Sequence, residues 1–329
     1  MRITRDALLK IARDTAEKTF APNRNITAAF LVGSMLSEDP FMGGATDVDL
    51  LVIYDGEPPD EREIVKLSND FHLDIHYESA SLYAQPRELR GDPWRGHALW
   101  NPTLLHQKGR FFEYTQSILR AQFDEPANRL KRAYAFSAPA RTAWSGAQFD
   151  PAGMEPLTLL TAAANAANAV AVLTGAPLTE RRLLADFPAR ARAIENPDLT
   201  RALLEIIARQ VNVDFVREWL PAWEAAFSSA GQVPLEMSIH SARLNYYKAA
   251  IVSLLESDFP LAAAWPMLST WALAAEAGNF SNEDNRAWDR VLALLGLDPV
   301  GMPERFDALD RYLDILEETL EQTAAKSGL

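Results

Sequence analysis

Hydrophobic residues recur with two different periods along this chain, and the change from one to the other divides it. Up to about residue 124, short runs of period 2 alternate with amphipathic stretches of period 3.6. The pattern predicts a helix over residues 4–20 with Thr4 as N-cap, strands over 26–32 and 48–54, a helix over 60–67 and a strand over 71–77. A helix over 80–89, a turn at Pro93 and Trp94, an apolar stretch over 97–105 and a helix over 110–123 complete this part. Beyond residue 125, Ala- and Leu-rich segments at helical period take over, punctuated by Pro and Gly: 155–174, 197–210, 214–229, 239–256, 261–277, 282–295 and 303–322. No strand-rich window and no repeat of fixed period interrupts them. The fold class expected is therefore α+β, a small mixed-sheet domain over 1–124 followed by an all-helical bundle domain over 125–329. A ligand site is expected in the cleft between the two.

Composition narrows the function classes. With 329 residues, 48% of them apolar, the chain can build two ordinary cores. No window of about twenty apolar residues is free of charges, and the first residues (Met1, Arg2, Arg5, Asp6) carry no signal-peptide pattern, so a cytoplasmic protein without a membrane partner is expected. The absence of cysteine excludes disulfides and thiolate metal sites. The net charge of −13, from 45 acidic and 32 basic residues, repels polyanions and favours cationic partners. Outside Arg129, Lys131 and Arg132 no cluster of Lys and Arg exceeds a pair, which argues against nucleic acid.

The stretch over residues 30–57 carries the chemistry. A strand ending at Val32 delivers Gly33-Ser34 to its C-terminal end, where glycine admits a close ligand and backbone N–H groups can meet phosphate oxygens. Asp47 and Asp49 then share one face of the next strand, while Val48, Leu50 and Val52 face a core. Their Cα atoms lie roughly 6.6 Å apart, and two carboxylates so placed repel unless a cation joins them. Hard oxygen ligands suit Mg²⁺ or Mn²⁺. Over 71–77 the alternation puts His72, Asp74 and His76 on the polar face, with Asp74 central, so an adjacent strand would bring Asp74 to the pair as third ligand or as base.

Gly33-Ser34, a spacer over 35–46, Asp47-Val48-Asp49-Leu50 and a later strand-borne Asp74 resemble the signature of the DNA polymerase β-like nucleotidyltransferase superfamily. The run Gly43-Gly44-Ala45-Thr46-Asp47-Val48-Asp49-Leu50-Leu51-Val52 is similar to its small-molecule branch, which includes the aminoglycoside nucleotidyltransferases, with Thr46 in place of Ser. Residues 103–111 look like a further strand-turn-helix segment of that branch, with Gln107 where an acid is common. The resemblance is specific over 26–112 and architectural beyond.

It implies that Gly33 and Ser34 hold the β- and γ-phosphates of ATP or another nucleoside triphosphate and that Thr46 adds a hydroxyl contact. It further implies that Asp47 and Asp49 hold Mg²⁺, or Mn²⁺, with Asp74 sharing the second of two metals or acting as base, and Glu78 in reserve. The activity implied is metal-dependent transfer of a nucleoside monophosphate, AMP from ATP, to a hydroxyl of a small acceptor, with release of pyrophosphate. The acidic surface makes a cationic acceptor such as an aminoglycoside attractive. The alternative is a non-catalytic nucleotide-binding or antitoxin-like regulatory module of the same fold. His72 and His76 read as hydrogen-bonded neighbours that orient their strand. His97, His106 and His240 and most of the tryptophans read as structural, with one or two tryptophans able to line an acceptor cleft. Arg243, Tyr247 and Lys248 read first as an ordinary amphipathic helix and second, like Arg181 and Arg182, as groups that could close over a triphosphate.

Overall fold

Five extended runs of the first part pair into one mixed sheet: β1 (Ile26–Leu31), β2 (Thr46–Tyr54), β3 (Arg62–Lys66), β4 (Phe71–Ser79) and β5 (Thr103–Gln107), in the spatial order β3-β4-β2-β1-β5. β2 and β4 are parallel and the other three pairings antiparallel. The computed structural model describes residues 3–207, 212–230 and 237–329, and the chain divides into two units, Met1–Asp124 and Glu125–Leu329. The sheet belongs to the first. Residues 208–210 of the helix expected over 197–210 lie outside the described residues.

Both faces of the sheet are covered, as period-2 strands with apolar residues on each side require. On one face Val48, Leu50 and Val52 of β2 and Leu73 and Ile75 of β4 pack with Leu8 and Ala12 of helix α1 (Arg5–Thr15). The expected cap is present: the Thr4 hydroxyl accepts from Ala7 N at 3.3 Å. On the other face Phe30, Leu51 and Ile53 meet Tyr83, Leu89, Leu99, Leu119 and Phe123, drawn partly from helices α2 (Arg95–Trp100) and α3 (Phe111–Arg120). This second core covers only the distal half of β2, so the half bearing Asp47 and Asp49 keeps its polar face.

Two expected elements differ. Residues 60–67 form no helix. Their centre is strand β3, where the β-branched pair Ile64-Val65 fits a pleated ladder and antiparallel pairing with β4 overrides helical propensity. Its flanking charges, Arg62, Glu63 and Lys66, suit a sheet edge. The helix expected over 80–89 is two short 3₁₀ turns, Ala80–Tyr83 and Glu88–Arg90, because Pro86 between them lacks an amide donor. The apolar stretch over 97–105 splits into the end of α2 and β5.

The second unit is helical: α4 (Pro126–Ala147), α5 (Pro156–Ala171), α6 (Leu183–Ala193), α7 (Asp198–Ile207), α8 (Val213–Ala230), α9 (Leu244–Leu255), α10 (Ala264–Glu276), α11 (Asn282–Leu295) and α12 (Met302–Lys326). Among the described residues it contains no strand. Helices α4 and α6 add to the expected segments, and each carries a proline inside it, Pro139 and Pro188. Helix α5 is apolar nearly all round and is buried accordingly. Arg141 of α4 donates to Asp310, Asp314 and Glu317 of α12 at 2.8, 2.9 and 2.8 Å. Trp223 of α8 is fully buried and donates Nε1–H to Thr270 Oγ1 of α10 at 2.9 Å. Among the described residues no helix is long and apolar enough to cross a membrane.

Edge strand β3 is tied to β4 by a two-pronged ion pair: Arg62 donates Nε–H and Nη2–H to Asp74 Oδ1 and Oδ2 at 2.8 and 2.7 Å. Asp74 is 1% exposed, whereas the Arg62 side chain keeps 20% of its surface. Arg62→Met therefore leaves a buried carboxylate without its main counter-charge. The expected cost in urea unfolding is about 2–3 kcal/mol, below the ~3–5 kcal/mol of a wholly buried pair. Arg62→Lys recovers only part, because ammonium cannot span both oxygens; full recovery by lysine contradicts the two-pronged account.

Candidate functional site

The polar end of the sheet is assembled by three segments. The first is the exit of β1, where Val32 N donates to Asp49 O at 3.0 Å and the chain turns into a 3₁₀ turn over Gly33–Leu36. Gly33 has φ +70°, a left-handed conformation that a side chain resists. A Cβ there would also stand 2.7 Å from Asp49 Cγ and closer still to Oδ2. Glycine is thus required twice, by backbone conformation and by the carboxylate against it.

The second segment is the start of β2. Thr46 is fully buried and its Oγ1 lies 3.2 Å from Ser34 Oγ. With the Thr46 hydroxyl hydrogen directed at Asp47 O, 3.2 Å away, Ser34 is the donor of that pair. The spacing from Ser34 to Thr46 closes a loop that brings the two hydroxyls of the motif together, beside Asp47 and Asp49.

The third is β4, parallel to β2 with Asp47 opposite His72 and Asp49 opposite Asp74. Neighbouring strands lie about 4.8 Å apart, so these pairs are adjacent on one face. One carboxylate oxygen each from Asp47 and Asp74 and one ring nitrogen of His72 all lie within 4.8 Å of one another. All three residues are buried, Asp47 at 4% exposure, His72 at 0% and Asp74 at 1%, while Asp49 is half-buried. Two carboxylates and an imidazole so gathered are a donor set that could hold a metal ion. Asp74 is fixed from its other side by Arg62 and by His76, whose Nε2 lies 3.2 Å from Oδ1.

The structure thus brings together Gly33, Ser34, Thr46, Asp47, Asp49 and Asp74 at one end of the sheet. Glu78, the reserve acid, is on the same face of β4 but further along. Arg95 Nε donates to its Oε2 at 3.0 Å, and the Tyr83 hydroxyl donates to the same oxygen. Burial first, then the Glu78 charge, pushes the Tyr83 phenol well above its usual range, so Tyr83 stays a donor. Glu78 is thus engaged by Arg95 and Tyr83 away from the Asp47–Asp49 end of the sheet.

Two neighbours of this acidic cluster lie outside the expected set of site residues. Arg62 was assigned to a helix, although Ile64-Val65 signals a strand that would have placed Arg62 toward β4. His72 was read as an orienting neighbour, and only the register with Asp47 gives it a ligand's position. Gln107, where an acid was anticipated, accepts from Phe112 N at 3.2 Å and donates to Glu113 at 2.8 Å, fastening the start of α3.

The basic and aromatic candidates of the helical unit have partners within it. Arg243 and Tyr247 both meet Glu180, Lys248 meets Glu224 at 2.8 and 2.7 Å, and the Arg181 guanidinium lies 3.3 Å from the Tyr246 ring centroid. His240 Nδ1 accepts from Ala242 N at 3.2 Å, and desolvation, then Arg243, lowers its pKa.

No protein-family model matches the chain. No curated protein matches it either. Among solved structures, the chain is similar to one described as a nucleotidyltransferase-like protein from Exiguobacterium sibiricum, at 14% identity and a TM-score of 0.35, over 75% of this chain and 76% of that one. At that TM-score the likeness carries no argument about fold or function.

Proposed function

We propose that this protein is a metal-dependent nucleotidyltransferase that moves a nucleoside monophosphate, AMP from ATP, to a hydroxyl of a small acceptor and releases pyrophosphate. The observation that carries this reading is the gathering of Asp47, Asp49 and Asp74 beside the Gly33–Ser34 turn, with Gly33 packed directly against the Asp49 carboxylate. In this reading the glycine-serine turn receives the β- and γ-phosphates. Ser34 is oriented by Thr46, whose buried hydroxyl it meets at 3.2 Å. Asp47, Asp49 and Asp74 would hold divalent cations, Mg²⁺ or Mn²⁺, and such cations would supply charge against the triphosphate and the departing pyrophosphate. The acceptor oxygen forms a bond to the α-phosphorus as the bond from that phosphorus to the β-bridging oxygen breaks, the hydroxyl proton passing to Asp74 as base and the electron pair leaving with pyrophosphate. Arg62 and His76 hold the Asp74 carboxylate in orientation for either role, ligand or base. The net charge of −13 supports a cationic acceptor such as an aminoglycoside.

The Arg62–Asp74 pair favours a second reading, a nucleotide-binding module without catalysis, because a guanidinium already supplies positive charge at the third carboxylate. The two readings separate in one assay. With α-labelled ATP, a divalent cation and a panel of hydroxylated amines, the enzyme reading expects a labelled adduct and stoichiometric pyrophosphate. Metal-dependent stabilisation by ATP without either product supports the module.

Asp47→Asn and Asp49→Asn are each expected to lower adduct formation about 10³-fold while circular dichroism is unchanged; activity within a few fold of the parent defeats the assignment. Gly33→Ala is expected to cost about 1–2 kcal/mol in urea unfolding through its left-handed backbone. It should also remove the ATP-plus-cation shift in melting temperature, because the new methyl displaces Asp49. Retention of that shift would show that the turn is not where the triphosphate sits.

A further inference from the structure

We propose that His72 is a metal ligand and tunes this site to a first-row divalent transition cation in preference to Mg²⁺. The inference deepens the nucleotidyltransferase reading and rests on it, replacing an all-oxygen donor set by one that contains an imidazole nitrogen. Three observations carry it.

First, the donors converge. A ring nitrogen of His72 lies within 4.8 Å of both an Asp47 and an Asp74 oxygen, close to the roughly 3–4 Å between ligand atoms around a cation bound at about 2.0–2.2 Å. Second, the backbone dictates the placement. His72 is the register partner of Asp47 across the parallel β2–β4 ladder, both side chains rise from the same face, and His72 is fully buried there. It belongs to neither apolar core of the sheet. Third, the local charge suits nitrogen ligation. Mg²⁺ binds oxygen, sheds water reluctantly and depends on negative charge, whereas imidazole favours transition cations along the Irving–Williams order. Part of the negative charge that Mg²⁺ would need is already taken by Arg62, which bonds both Asp74 oxygens. The same bonds, with His76 on Oδ1, hold the Asp74 carboxylate in orientation, as outer partners of metal ligands do. With no cysteine in the chain, no thiolate competes with the imidazole for the cation.

The test uses the full chain stripped with chelator and no nucleotide. Calorimetric titration is expected to give Mn²⁺ an affinity at least about tenfold above that of Mg²⁺. The electron spin echo of bound Mn²⁺ should carry modulation from a directly coordinated ¹⁴N. His72→Gln is expected to remove the modulation and bring the two affinities within about threefold. His76→Gln should keep the modulation. Equal Mg²⁺ and Mn²⁺ affinities with no ¹⁴N modulation overturn the inference and leave the Mg²⁺ nucleotidyltransferase reading intact. Loss of modulation in His76→Gln instead assigns the nitrogen to the wrong histidine here, and that result is readable even if His72→Gln does not fold. Failure of any cation to bind without nucleotide also overturns it, and the broader reading then stands or falls on the ATP-plus-cation melting shift.

Discussion

Everything at the polar end of the sheet depends on the parallel pairing of β2 with β4 in a single register. Asp47 meets His72 and Asp49 meets Asp74 only in that alignment. Because side chains alternate, a slip of one residue would set Leu73 beside Asp49 and turn Asp74 into the α1-facing core. The register is held from both sides. Val48, Leu50 and Val52 interlock with Leu73 and Ile75 beneath α1, and Leu51 and Ile53 are enclosed by Tyr83, Leu89 and Leu99 above. A chemically costly arrangement, buried acids side by side, is thus imposed by apolar packing on the opposite face.

The remaining polar contacts make that cost bearable. Arg62 and His76 engage Asp74, the Gly33 turn lies against Asp49, and Ser34 and Thr46 satisfy each other. Arg62 has a double role: it fastens edge strand β3 to the sheet and supplies positive charge where acids crowd. In the proposed enzyme that guanidinium does permanently what a bound cation does reversibly. The helical unit is organised on other terms. Arg141 between three acids of α12, Trp223 on Thr270 and the Glu180 cluster are all partnerships internal to it.

Particular residues show why the site was more legible than some elements around it. Asp47, Asp49 and Asp74 could be placed on polar faces because period-2 alternation is a local property, readable wherever Val, Leu and Ile mark the opposite side. Residues 60–67 misled because a charged, amphipathic octet is compatible with a helix until β4 offers Ile64 and Val65 a ladder. Pro139 and Pro188 each remove one donor inside α4 and α6, and both helices continue through them.

The sequence by itself determined the α+β plan, the change to helices after residue 125 and the residue types set near the glycine-serine bend, since each follows from spacing along the chain. Only the tertiary structure decided who stands beside whom across strands. It moved Arg62 onto Asp74, gave Glu78 to Tyr83 and Arg95, and set His72 against Asp47. The reason is physical: alternation fixes which way a side chain points, but its neighbour on the next strand is chosen by register, and register is settled by the packing of distant apolar residues.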